Sequence, residues 1–196
     1  MKIIYLYGAS GHGLVCADIA RACGYDKIIF LDDFKYLKDK QILKFDEKLE
    51  KHDIFISIGD AKIRQELFNK VQKAGFNVVS LIHKSAVISS SAKIGLGVSV
   101  MPNCVINANA FIADGAIINS ASIIEHECQI GAFSHICPGV KIAGASKIGA
   151  RVWLGIGSCV IQNLNIGDDA YIGAGSVVVK DLPSKVRAFG NPARVC

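Results

Sequence analysis

The spacing of hydrophobic residues changes period partway along the chain. Up to residue 80 it alternates between short apolar runs and helical spacing. Lys2–Tyr7 is an apolar run leading into Gly8-Ala9-Ser10-Gly11-His12-Gly13. Leu14–Cys23 then reads as a helix with Val15, Ile19 and Ala22 on one face. Lys27–Leu31 and Ile54–Ile58 are further apolar runs. Asp60–Ala74 carries Ile63, Leu67, Phe68 and Val71 at helical spacing and stops at Gly75, and Asn77–Ile82 reads as a fourth strand. Strand and helix alternating in such short units predict a small parallel sheet with helix cover.

From Ile82 onward the period is six. Every sixth residue from Ile82 to Val178 is aliphatic, seventeen positions without an insertion. Four residues after each stands a small or apolar side chain, as at Ala86, Val98, Cys104, Ala110, Cys128 and Ser146. Two inward positions in every six predict a hexapeptide parallel β-helix, with three hexapeptides to a coil and coils stacked about 4.8 Å apart. The expected architecture is an α/β Rossmann-like domain over 1–80 and an all-β parallel β-helix over 81–196. Charge sharpens that boundary: 24 of the first 80 residues are charged, against 15 of the last 116, which also hold 13 of the 19 glycines.

Composition narrows the function classes. A net charge of +5 without a basic cluster argues against nucleic acid. Seven cysteines with no CxxC pair argue against a disulfide framework or zinc ribbon and for a reducing compartment. The apolar run before Gly8 is too short for a signal-peptide core, and no run approaches the ~18 apolar residues of a membrane span. A cytoplasmic protein is expected.

The glycine-rich turn between a strand and a helix suits phosphate, because glycines admit close backbone approach and the helix N-terminus offers free N–H groups. Asp32 and Asp33 end the next strand, where such domains place an acid against ribose or base. The domain has room for one nucleotide half, so a mononucleotide or nucleotide sugar is the expected ligand. In the solenoid, Glu125-His126-Glu127 lies at a corner and His135 at an outward position. A histidine beside a carboxylate is a natural general base at neutral pH. Cys128 falls on an inward slot and reads as packing. Gly144 is 18 residues after His126, one coil on, where its N–H could meet an oxyanion.

Taken together, GASGHG, Asp32-Asp33, Ser57-Ile58-Gly59, Leu81-Ile82-His83, Ile124-Glu125-His126-Glu127 and the closing Gly190-Asn191-Pro192-Ala193-Arg194 resemble the left-handed β-helix sugar acetyltransferases of the sialic-acid and amino-sugar group. Tyr7–Cys16, Ile29–Lys35, Leu81–Ala86 and Ile124–His135 are similar to the UDP-4-amino-sugar N-acetyltransferases of bacterial bacillosamine synthesis, which serve protein glycosylation. That resemblance implies a left-handed helix, a homotrimer, acetyl-CoA in the groove between adjacent prisms, a UDP-amino-sugar on the N-terminal domain, and no metal. It implies His126 as general base, supported by Glu127. It implies His135, Gly144, Ile156 and Ala174 along the acetyl-CoA path, and Gly11, His12, Gly13, Asp32, Asp33 and Gly59 at the nucleotide sugar. Asn119 is a further substrate contact expected near the base. With no nucleophile left over, direct transfer to an amine is expected. The same pattern is shared by GDP-amino-sugar N-acetyltransferases and sialic-acid O-acetyltransferases. A solenoid zinc enzyme would need a third histidine, and His83 lies more than two coils from His126 and His135. A non-catalytic nucleotide-sugar binder is the remaining alternative.

Overall fold

The computed structural model describes residues 1–33 and 42–196. The last part of the Ile29–Lys35 stretch therefore lies outside the described residues.

The chain opens with β1 (Ile3–Tyr7), α1 (Gly11–Ala22), β2 (Lys27–Leu31), β3 (Ile42–Leu43), β4 (Asp53–Ile56), α2 (Ala61–Lys73) and β5 (Asn77–Val78). Their parallel sheet has the order β3-β2-β1-β4-β5, with the central β1 flanked on both sides. Five strands replace the four expected, because β3 is only two residues long and carries no alternation to read. Helix α1 begins three residues earlier than Leu14, inside the glycine-rich turn. Its buried residues are Gly13, Cys16, Ala17, Ile19 and Ala20, and Val15 and Ala22 are exposed, so the face read from the sequence is rotated. Small residues dominate the true face because α1 lies close against the sheet and the first solenoid rung. Gly8 has φ +125°, and a Cβ there would stand 2.6 Å from the Ser57 carbonyl oxygen, so the turn needs glycine.

The expected fourth strand Asn77–Ile82 is two strands in two sheets. Asn77–Val78 completes the α/β sheet, whereas Leu81–Ile82 pairs with Ser99–Val100 as the first rung of the solenoid. Seventeen two-residue strands follow one another from Leu81 to Val178, each ending on one of the aliphatic positions. They form a left-handed parallel β-helix. The inward residues are almost all fully buried beyond the first coil, including Val98, Ile112, Ile124, Ile136, Leu154 and Val178. At about 1.5–3 kcal/mol for each fully buried aliphatic side chain, these ladders are the main stabilising force of the solenoid. Inward serines bond to the next coil, as where Ser122 Oγ donates to Cys137 O at 2.9 Å and Ser146 Oγ to Ile161 O at 2.9 Å, whereas the buried Ser158 Oγ has no such partner. Cys128 makes the equivalent bond, Sγ to Ala143 O at 3.2 Å, and burial raises its thiol pKa. It packs and does not attack.

The three faces differ in what they present outward. The first face stacks Leu81–Ile82, Ser99–Val100, Ile117–Ile118, His135–Ile136, Trp153–Leu154 and Tyr171–Ile172, then Arg187–Phe189 and the antiparallel Arg194–Val195. Its lower coils are covered by the α/β domain. The second stacks Val87–Ile88, Val105–Ile106, Ile123–Ile124, Lys141–Ile142, Cys159–Val160 and Val177–Val178. Its outward side chains are apolar apart from Lys141. The third face, Lys93–Ile94 to Asn165–Ile166, turns mainly polar residues outward. No described helix is long and apolar enough to cross a membrane.

Candidate functional site

From Gly97 to Gly175 each hexapeptide turns a corner through a fourth residue with positive φ, a left-handed conformation adopted at Asn103, Asn109, Ala121, Glu127, Phe133 and Ala145 among others. The residue before it stands at the apex of the corner. His126 is such an apex, between the second and third faces, and Glu127 (φ 58°) is the turn residue after it. That turn brings Glu127 Oε2 to 3.0 Å from His126 Nδ1. A carboxylate accepts, so Nδ1 carries the hydrogen and Nε2 presents a bare lone pair. Both side chains are exposed. Gly144 lies one coil along at the same apex, and its absent side chain makes room for the ring: a Cβ there would stand 2.6 Å from both Cε1 and Nε2 of His126. The coil ladder engages the next amide, with Ala145 N–H donating to His126 O at 2.8 Å.

His135 is on the first face, and the structure separates it from His126. The two do not form one cluster. Ten residues of this helix carry the chain around a corner and across a whole face, so sequence proximity does not become spatial proximity. Asn119 goes with His135, not with His126: its Nδ2 donates to His135 Nε2 at 3.1 Å while its Oδ1 accepts from Ser120 N at 2.8 Å. His135 points out of the prism, as its register requires, yet it is only 7% exposed, roofed by the α/β domain. The His12 ring lies 6.3 Å away and Trp153 4.6 Å away. Because Asn119 donates to Nε2, the hydrogen sits on Nδ1, a buried donor without a well-formed partner. Burial and then the Arg64 guanidinium lower the His135 pKa to about 3, with His12 adding to the fall and the Gly59 backbone opposing it. The same two leading causes bring His12 to about 4. Both rings are neutral donors or acceptors near pH 7.

Asn119, His135, Pro138, Trp153, Ile156 and Ala174 line a groove of about 370 Å³ at the corner between the first and second faces. Ile156 and Ala174 are corner apices there, so the residues expected along the acetyl-CoA path are divided. His135, Ile156 and Ala174 share one corner, and Gly144 is with His126 on the other. A second cleft of about 480 Å³ opens on the other side of His135, between Gly59–Lys62 and the Trp153–Tyr171 part of the face.

Asp32 and Asp33 line a third cavity, about 320 Å³, with Tyr7, Gly8, Ser10, Ile58, Ile63 and Leu67. Asp32 Oδ2 accepts from Ala9 N at 3.1 Å, tying the end of β2 to the glycine-rich turn. Asp33 accepts from the Tyr7 hydroxyl and from Phe45 N at 3.2 Å, with Lys70 Nζ at 3.8 Å. Helix α2 is capped by Asp60, which accepts from Ile63 N at 2.9 Å. Helix α1 has no side-chain cap at Ser10 and no acid in its first turn, leaving its N-terminus ready for an anion. Gly11 and Gly59 face open space, whereas a Cβ on Gly13 would stand 2.1 Å from Gly8 O. Gly13 therefore serves helix–turn packing. No group of three or more His, Cys, Asp or Glu among the described residues could hold a metal ion.

Two features escaped the sequence reading. Arg64, which the helical spacing of Asp60–Ala74 does not single out, is buried. The rings of His135, Trp153, Tyr171 and Phe189 climb the first face with centroids 4.6, 6.1 and 6.0 Å apart. Their regular 18-residue spacing was a visible signal once the coil length was known.

Residues 3–71 match the family model described as the PglD N-terminal domain. Over the whole chain, PerB from Caulobacter crescentus, solved with CoA and GDP-perosamine, is 37% identical with a TM-score of 0.94, covering 100% of this chain and 98% of that one. The acetyltransferase domain of PglB from Neisseria gonorrhoeae, solved with acetyl coenzyme A, is 34% identical with a TM-score of 0.93, covering 100% and 99%. A GDP-perosamine N-acetyltransferase of Escherichia coli O157:H7 is 29% identical over 99% of this chain and 96% of its own length.

Proposed function

Since the chain belongs to the left-handed β-helix family of acetyl-CoA-dependent nucleotide-sugar N-acetyltransferases, we propose that it acetylates the 4-amino group of a nucleoside-diphosphate-linked 4-amino-4,6-dideoxy sugar, in a site shared between protomers of a homotrimer. The observation that carries this reading is the division of the site within one chain. The His126–Glu127–Gly144 corner and the Asn119–His135–Ile156–Ala174 corner flank the same face on opposite sides, and that face is the apolar one. Val87 is 65% exposed on it, with Val105, Ile123, Cys159 and Val177 along the same column. Packing three such faces around a threefold axis buries them and brings the base corner of each protomer against the groove corner of the next. Acetyl-CoA occupies that groove, with its apolar arm against Pro138, Ile156 and Ala174 and with Asn119 and His135 in its wall. The nucleotide lies in the Asp32–Asp33 cavity, and its diphosphate at the uncapped start of α1, near Gly11 and His12, with Gly59 at the edge of the neighbouring cleft.

The chemistry follows from the tautomer. The sugar amine attacks the thioester carbonyl and forms the C–N bond. His126 Nε2 takes the proton from nitrogen, and Glu127 stabilises the resulting imidazolium through Nδ1–H. The Gly144 N–H steadies the oxyanion. Collapse breaks the C–S bond, and the His126 imidazolium returns its proton to the departing sulfur, so that CoA leaves as the thiol and the base is restored. No acyl-enzyme is needed, because Cys128 is occupied in the core.

Two nucleotides are supported. The sequence motifs favour a UDP sugar, as in UDP-N,N'-diacetylbacillosamine synthesis. The relatives that span the chain and are named for GDP-perosamine favour GDP. A panel of UDP- and GDP-linked 4-amino sugars with acetyl-CoA, read by thiol release, separates them. Thiol release with neither series would contradict the reading.

A further inference from the structure

We propose that Arg64 is a positioning residue of the transfer reaction: it fastens the Ile58–Gly59 edge of the nucleotide cavity to the coil that carries His135 and places a fixed positive charge beside that ring. The proposal rests on the nucleotide sugar occupying the Asp32–Asp33 cavity. Arg64 is 1% exposed, at the contact between α2 and the solenoid. Its Nη1 donates to Ile58 O at 2.8 Å and to Gly59 O at 2.7 Å. Its Nε donates to Gly115 O at 2.8 Å, and Nη2 donates to Phe133 O. Gly115 and Phe133 stand at the same corner on successive coils, and His135 is two residues beyond Phe133. One guanidinium therefore joins the loop lining the nucleotide cavity and the sheet-face cleft to the backbone that sets His135.

All four acceptors are neutral carbonyls. Asp60, at the start of the same helix, favours the charge without hydrogen-bonding it, but a buried cation is still costly, and a well-packed apolar residue would fasten two domains with less penalty. The charge has an evident use in its surroundings. His135 is faced by Arg64 from α2, His12 from α1, and Asn119 and Trp153 from neighbouring coils. Across the cleft stand Asp60, Lys62, Lys185, Arg187 and the Arg151–Asp169 pair. Arg64 is the charge that acts most strongly on the ring, and it favours the neutral form. A neutral ring keeps its hydrogen on the buried Nδ1, on the side of the Gly59 backbone, and its Nε2 on Asn119 at the wall of the ligand groove.

The test uses the full chain. Nitrogen-15 histidine spectra of the wild type should show His135 as the neutral Nδ1–H tautomer from pH 8 down to 5. In Arg64→Gln its titration midpoint should move upward by about one unit. The nucleotide-sugar KM should rise about tenfold through loss of the bridging bonds, clearly more than acetyl-CoA affinity, measured by direct titration, falls through the disturbed His135. Arg64→Lys keeps the charge but not the fork. It should leave the His135 midpoint near wild type and still raise the sugar KM. A wild-type His135 titrating near its ordinary value overturns the proposal without any variant. So does a folded Arg64→Gln with unchanged sugar KM, or equal loss of both ligands, which would mark a purely structural role. The spectra need no turnover, so they stand even if the substrate panel fails.

Discussion

Replacing Gly144 by alanine tests the base and its surroundings with a single methyl group. Gly144 does not have a positive φ, so alanine adopts its backbone without strain. Gly→Ala at such a site adds about 0.4–1 kcal/mol of stability through the unfolded chain. The methyl would stand 2.6 Å from Cε1 and Nε2 of His126, against 3.4 Å for ordinary contact. The exposed imidazole must therefore retreat by about 0.8 Å, away from the position that Glu127 holds at 3.0 Å. Displacement of a reacting group by about 1 Å costs about 10²-fold in rate. The expected result is a kcat lower by about two orders of magnitude, both KM values within a few-fold of wild type, and a melting temperature equal or higher. Stopped-flow or plate-reader detection of CoA thiol gives the rates, and calorimetry gives the stability. Wild-type kcat in a folded Gly144→Ala would show that the His126 ring is not the proposed base.

Further perturbations separate the parts of the site. Glu127→Gln should lower kcat by about 10-fold or more with little change in either KM, because the ring loses its carboxylate support but no ligand contact; an unchanged kcat would remove Glu127 from the mechanism. Asp33→Ala should raise the nucleotide-sugar KM and Ala174→Trp the acetyl-CoA KM, and the reverse pattern would misassign both cavities. Val105→Asp, on the apolar face, should dissociate the assembly in sedimentation and abolish turnover, whereas a wild-type sample sedimenting as a monomer would contradict the shared site. His12 and His135 have folded pKa values lowered to about 4 and about 3, so the unfolded chain binds protons that the folded chain refuses. Their stability contribution is present above the unfolded value near 6.5 and is lost as pH falls toward 4 and 3, by about 2 kcal/mol for each group between pH 7 and 5. Thermal unfolding at the two pH values should show this loss, and His135→Asn should reduce the slope by about half.

The solenoid was legible because its period is a packing requirement: every inward slot of a two-residue strand must be aliphatic or small, and any insertion would break the ladder. The same rule placed Cys128 in the core and put Gly144 over His126. Less could be read in the α/β domain. Strand β3 is too short to carry a pattern. Asn77–Ile82 looked like one strand because a sheet edge and a solenoid rung favour the same residues. The division of the site was hidden for a different reason. The eight residues between His126 and His135 look like closeness in a sequence, but in a coil of 18 they are nearly half a turn of a triangular prism. Asn119 was misplaced beside the base by the same reasoning. Arg64 left no trace, since its partners are backbone carbonyls, which any sequence supplies.

Mixing two inactive variants tests most directly whether the reaction site spans two protomers. His126→Ala removes the base corner and Ala174→Trp blocks the groove corner, so each alone should be inert. After subunit exchange at equal amounts, about three-quarters of closed trimers contain both kinds, and each of these has one intact base facing one intact groove. The account predicts recovery to about a quarter of wild-type activity. No recovery, with mixed trimers demonstrated by mass spectrometry, would place the whole reaction within a single chain.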